Sequence, residues 1–467
     1  MNKKIFIPMI LLLVLLLVSH FNITGWAIRS ISSSQDNKET MIRNSNGKYW
    51  QPTGANLQIA IDDTAVSGGS VWLPAGTIVL PNPQLDMKSN VHLMGKGRGI
   101  TVLQTCNGCS AGIEAYGQSN FTISDLTING NRHNGGLGNG IQVRGGSSDF
   151  IIDNIQISSA QSNALFISGA EKGFVSNYKA NDIGEFHGLA LNNVNESVFS
   201  DVMTYDIDDG YAVNLHTVHN CGFNNFVTES YWGVKMVDYQ SSNNNFNNFQ
   251  IRLINNSEGH QGLKLNRIDS SNFNNIKISG SYKGIACSTN CYNNNFNNII
   301  IEQPNAYGIH LDGGHDLNFK NIKILEPESY GITISGSSEN VSFDSMLIKN
   351  ASYGFRLDGP EDIKLSNTVI ANSSIYGVYL NGVSDVQVTR SVIKNSGTRG
   401  IHVSDNGDSS DYLISDCIID GTPNQGIYIA DVQSSNFIVT NNVLVNTGSG
   451  IQNDSTGANQ LITDNLT

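Results

Sequence analysis

Between positions 208 and 264 the chain gathers side chains able to move protons and hold anions: Asp208, Asp209, His216, Lys235 and Lys264. An adjacent carboxylate pair can serve as acid and base, with Glu185 as a third carboxylate upstream. The plain alternative is a turn, where Asp is favoured. His216 is a proton carrier by type. Lys235 and Lys264 are predicted to stack on neighbouring strands, roughly 5 Å apart. Like charges that close lower the pKa of one, which yields either a base or a cation able to neutralise a carboxylate. The plain alternatives are an Asp209–Lys235 surface ion pair and two Lys reaching into water. Arg144, His187, Asn192, Asn214, Trp232 and Arg267 are the candidate binding residues around them. Asp206, Asp208 and Asp209 supply hard oxygens, which makes calcium the candidate metal, although their spacing matches no established calcium loop.

These residues need elements to position them, and an internal repeat supplies the elements. The pattern small–apolar–x–apolar begins at Gly112, Gly140, Ala164, Gly188, Gly210, Gly233, Gly262, Gly284, Gly308, Gly331, Gly354, Gly377, Gly400, Gly426 and Gly450. The spacing is 22 to 29 residues, and it is 23 four times running from Gly308 to Gly400. A second register runs through Phe199, Phe223, Phe246, Phe273, Phe296, Phe319 and Phe343. Two residues after each stands Asp201, Asn225, Asn248, Asn275, Asn298, Asn321 or Ser345. Units this short cannot bury their own apolar face and must stack. The reading is an all-β parallel β-helix of about 15 coils with the Phe stacked inside and the Asn forming a ladder at a turn. A leucine-rich repeat lacks its signature here, and a propeller blade is too long. The run NLQIAIDDTAV, from Asn56 to Val66, reads as an amphipathic helix capping the open end.

Directions follow from strand alternation. The apolar residues of the pattern point in, and x points out. The outward column then includes Phe166, Ala190, Ala212, Lys235 and Lys264. Two positions further on stand Arg144, Asn192, Asn214 and Asn266. Just before the small residue stand His187, Asp209 and Trp232. Ala190 and Ala212 are expected as an open floor beside the charged patch.

Composition sets the outer limits. Charged residues are 14% and net charge is −13, which speaks against a general nucleic-acid binder. Lys3 and Lys4 precede an apolar run from Ile5 to Val18, so residues 1–27 read as a signal peptide or an N-terminal anchor. The chain is then extracellular or at the cell surface, and touches a membrane only if that segment stays uncleaved. Residues 28–50 read as a linker and 51–467 as one β-helix domain. Cys106 with Cys109 and Cys287 with Cys291 are expected as local disulfides, the oxidised state fitting export.

Three stretches resemble a known family: GGSVWLPAGTIVL (Gly68–Leu80), SNVHLMGKGRGITVLQT (Ser89–Thr105) and SNFTISDLTINGNRHN (Ser119–Asn134). They are similar to the start of pectate-lyase-like β-helix proteins, a superfamily of polysaccharide lyases, polygalacturonases, phage tailspikes and mannuronan C5-epimerases. The resemblance implies right-handed coiling and an acidic, uronate-containing polysaccharide as partner, with lyase or epimerase chemistry. The alternatives are a non-catalytic glycan-binding or surface-layer protein, and a polygalacturonase-like hydrolase using Asp208 and Asp209. The epimerases carry a Tyr-Gly-Phe-Asp-Pro-His motif; the matching coil here, Ser162–Gly169, reads SNALFISG, with neither Asp nor His. Of the polygalacturonase elements, only the Asp208–Asp209 pair is present.

Overall fold

The computed structural model describes residues 38–136, 138–236, 240–255, 257–431 and 433–467. The chain divides into two units, Met1–Thr40 and Met41–Thr467. The signal-peptide or anchor reading falls outside the described residues. The second unit is a parallel β-solenoid of about 16 turns with one α-helix near its start.

Each coil is built the way its repeat dictates. The strands that carry the small–apolar–x–apolar pattern pair in parallel, coil on coil. One inward column runs Ile141, Leu165, Leu189, Val213, Val234, Leu263, Ile285 and Ile309. The small residue is small because its neighbours leave no room. A Cβ added to Gly262 would lie 2.4 Å from Ile278 Cγ2 and 2.7 Å from the Gly284 carbonyl oxygen.

The Phe column lies in the core. Phe199, Phe223, Phe246, Phe273, Phe296, Phe319 and Phe343 stack in nearly parallel planes, with ring centroids 4.5 to 5.2 Å apart. The Asn column turns the chain. Asn225, Asn248, Asn275, Asn298 and Asn321 all have positive φ, the left-handed conformation that Asn tolerates better than most residues. Their amides bond from coil to coil, as in Asn248 to Asn225 at 3.0 Å and Asn298 to Asn275 at 3.2 Å.

The helix spans Gly54–Ala65. Thr53 caps it by accepting the Asn56 backbone N–H at 3.3 Å. Its buried face is Gly54, Leu57, Ala60, Ile61 and Thr64. The stretch expected as a linker is partly structured. Ile42–Asn44 pairs antiparallel with Tyr49–Trp50 and with Gly69–Trp72. Ile42 and Asn44 point into the core, and the Asn44 amide is satisfied by Asp63 at 2.8 Å and Thr64 at 3.2 Å. Two alternate residues are enough to dock a three-residue strand, and so short a signal is easily lost among polar neighbours. Both expected disulfides are present, Cys106–Cys109 and Cys287–Cys291. In the last coil, Gln460–Thr463 pairs on one side with Phe437–Thr440, while Leu461 and Leu466 are 50% and 67% exposed.

Candidate functional site

Three neighbouring strands, Leu165–Glu171, Leu189–Asn195 and Tyr211–His219, build a groove on the outward face of the solenoid. Its volume is about 220 Å³, and its lining includes Phe166, Phe186, His187, Asn192, Asn214 and His216. Asn163 and Ala190 complete the floor.

The register here corrects one expectation. Ala190 pairs with Asn214, and Asn214 with Lys235. The small residue of the middle coil is therefore Ala212, not Gly210. Ala212 is fully buried in the core rather than open at the surface. Two overlapping runs, Gly-Tyr-Ala-Val from Gly210 and Ala-Val-Asn-Leu from Ala212, both satisfy the small–apolar–x–apolar pattern. Packing selects the second, with Ala212 stacked between Gly188 and Gly233. Gly210 is glycine for another reason: a Cβ there would lie 1.5 Å from the Phe186 carbonyl oxygen. With the register set, Asn214 takes the outward place expected for Ala212, His216 joins Asn192 in the next column, and Tyr211 replaces Asp209 beside Trp232.

His187 is the most constrained side chain of the groove. Its Nδ1 accepts the Tyr211 backbone N–H at 3.0 Å. A neutral imidazole that accepts at one nitrogen donates from the other, so Nε2 carries the proton. Nε2 lies 2.8 Å from the Asn214 amide nitrogen, while the Asn214 carbonyl oxygen is buried with no partner. Turning the amide end for end places that oxygen on the Nε2–H. Burial pushes the His187 pKa down to about 4, and the charges of Lys235 and His216 act in the same direction. His187 is thus a neutral, fixed donor at ordinary pH.

Lys235 and Lys264 pair in register on the next two strands. The Lys235 ammonium sits 5.3 Å from the centre of the Tyr211 ring, a cation–π contact that holds it at the groove edge. Trp232 packs against Tyr211 at 5.4 Å and His260 at 4.3 Å. Arg267 lies elsewhere, in a smaller depression with Gln240, Asp269, Asn290 and Tyr292. Arg144 shares the column of Asn192 and His216 but is ion-paired to Glu114, with Tyr116 under its guanidinium.

The carboxylates are not part of the groove lining. Asp208 accepts a 2.9 Å ion pair from Arg132, whose guanidinium also binds Asp182. Asp209 is exposed at the same turn. Asp206, Asp208 and Asp209 do not converge, and among the described residues no group of three or more His, Cys, Asp or Glu is placed to hold a metal. Phe166, Phe186 and Asn163 were not among the candidate site residues. The signal for Asn163 was its place one position before Ala164, in the column of His187 and Tyr211.

Comparison with known proteins bears on the architecture first. The family model described as "Right handed beta helix region" matches residues 307–466. The tailspike protein of E. coli bacteriophage HK620, solved in complex with a pentasaccharide, superposes over 95% of this chain and 83% of its own, with a TM-score of 0.52 at 13% identity. The fold is a right-handed parallel β-helix. A second family model, "Periplasmic copper-binding protein (NosD)", matches residues 191–373 of this β-helix. Mannuronan C5-epimerase AlgE1 of Azotobacter vinelandii is 42% identical over 94 residues, which is 17% of this chain and 7% of the epimerase. AlgE4 of the same organism is 39% identical over 94 residues, 17% of each chain. The β-helix therefore matches less than a fifth of the length of these relatives.

Proposed function

We propose that this β-helix is an exported protein that binds an acidic polysaccharide across the groove and transfers a proton at the uronate C5. One observation carries the reading: neutral His187, Asn192, Asn214 and His216 line one groove, with Lys235 and Lys264 in register on the adjacent strands. In the proposed step His216 takes the C5 proton, and the electron pair moves into the carboxylate as an enolate. Lys235 and Lys264 neutralise that charge, which makes the C5–H more acidic. His187 and Asn214 hold hydroxyl groups, and Arg267 would meet the polymer further along. Return of a proton from water to the other face of C5 gives the epimer. Loss of the C4–O bond instead, with the departing oxygen taking the proton from His216, gives an unsaturated end, as in a lyase. The sequence relationship to the epimerases supports this class.

The hydrolase reading through Asp208 and Asp209 has less support, because Asp208 is held by Arg132 and hydrolysis wants two carboxylates flanking the bond. Copper binding, from the NosD description, finds no fitting donor set among the described residues. Cys221 and Cys417 are buried singly, and the other four Cys form disulfides. A non-catalytic glycan-binding reading is favoured by the fully engaged ring of His187 and by the absence of a carboxylate among the described residues of the lining.

The test is to incubate the purified chain with pectate, alginate and glycosaminoglycans, with and without calcium. Ultraviolet absorbance from unsaturated ends identifies a lyase, and altered uronate composition without cleavage identifies an epimerase. His216→Ala should abolish either activity, and Lys235→Ala should reduce it. Reducing ends without absorbance would replace the reading with hydrolysis. Binding that Lys235→Ala weakens, with no product of any kind, would replace it with the non-catalytic one.

A further inference from the structure

The outward face changes character toward the later coils. Tyr307, Tyr330, Tyr353 and Tyr376 occupy one column at 23-residue intervals, each half-buried. Tyr307 to Tyr330 and Tyr330 to Tyr353 are stacked, with centroids 5.2 Å apart. Tyr353 to Tyr376 is edge-on, with centroids 5.4 Å apart, and each of the four half-buried rings leaves part of itself uncovered along the stair. Beside them, in the adjacent outward column, run Arg356, Tyr379, His402 and Tyr428.

The cations of this face are already bound. Arg356 donates to Asp358 at 2.6 Å and to the Tyr330 hydroxyl at 2.9 Å. Arg399 donates to Gln425 at 2.8 Å and lies over the Tyr428 ring at 4.4 Å. A polyanion would gain little here. A second observation points to a ligand. His402 is 8% exposed, and neither ring nitrogen has a hydrogen-bond partner, although it stands in the outward column between Tyr379 and Tyr428. His310 Nδ1 and Asn381 Oδ1, on the same face, are likewise unpartnered. Buried polar atoms of this kind are costly without a partner.

We propose that this aromatic stair is a second carbohydrate-binding surface, distinct from the groove, which holds a polysaccharide through its pyranose faces rather than its charge. Two features select a sugar. Pyranose rings offer flat C–H faces to the tyrosines and hydroxyl groups to the unpartnered His and Asn. Successive coils also rise by about 4.8 Å, close to the length of one sugar unit, so the stair meets an extended chain in step. A protein partner would want exposed aliphatic side chains, and no large exposed hydrophobic residue lies between Ile254 and Ile418 among the described residues. The stair lies on the same sheet as the groove, so one polymer could run from one to the other.

The inference does not rest on groove chemistry, and the test separates them. The full chain is run by affinity electrophoresis in gels containing alginate, polygalacturonate or a neutral β-glucan. At least one polymer should retard it, and retardation should persist at about 1 M salt, where the Debye length is only about 3 Å. Y353A/Y379A should weaken that binding about tenfold, and Y353F/Y379F should bind as the parent chain does. Should the alanine variant fail to fold, nitration of Tyr353 and Tyr379 in the parent chain replaces it, and the polymer should slow the reaction. Undiminished binding by a folded alanine variant, nitration unaffected by the polymer, retention of single-stranded DNA in place of every glycan, or no salt-resistant binding at all would overturn the proposal.

Discussion

At the scale of single residues, protonation makes a distinct prediction. Burial pushes His187, His310 and His402 each down to about 4 from the ordinary 6.5. The unfolded chain therefore binds more protons than the folded one between those two values, and stability must fall as pH drops from 6.5 toward 4. Above pH 6.5 the stabilisation is complete. For His187 the loss is on the order of 3 kcal/mol, at about 1.4 kcal/mol per pKa unit. Urea midpoints measured from pH 7 to pH 4 should show it, and His187→Gln should flatten the slope. A midpoint independent of pH over that range would mean these rings meet water freely. Glycan binding in the groove should survive down to about pH 5, because the neutral form of His187 is the one that Tyr211 and Asn214 hold.

At the scale of the element, the two ladders do different work, and truncation should separate them. Phe273→Ala empties part of the core between Phe246 and Phe296 and should cost about 3–5 kcal/mol. Lys320 is exposed and only 3.9 Å paired with Asp344, so Lys320→Ala should cost under about 1 kcal/mol. Chemical denaturation of the two variants checks both, and similar losses would contradict the stacking. This contrast was legible from residue types alone, because the Phe and Asn periods are simple and each type has one dominant use in a coil. The groove was half legible. His187, Asn192, Asn214 and His216 were placed near one another by period, but Ala212 was assigned to the surface. Tyr211 is apolar enough to stand for an inward residue, so the local pattern fits two frames. Only the backbone contact under Gly210 and the coil-to-coil pairing of Val213 decide between them. Asp208 was drawn into the site by proximity in sequence. Its tie to Arg132, 76 residues away, follows from coil stacking and has no local signal.

At the scale of the whole β-helix, cohesion is shared between neighbours, as in any stacked repeat. The first coils are covered by the helix Gly54–Ala65, whereas Leu461 and Leu466 of the last coil stay half or more exposed. Amide exchange read by mass spectrometry should therefore be fastest in Gln460–Thr463 and slowest across the coils from Phe199 to Phe343. Uniform protection along the chain would show that the coils open together. If the gradient holds, the coils behave like a zipper. Loosening that starts from the coil of Leu461, whose apolar side chains are poorly covered, would reach the tyrosine stair several steps before it reaches the groove. Grip on a polymer and chemistry on it would then fail in order as temperature rises, with holding lost while the groove still stands.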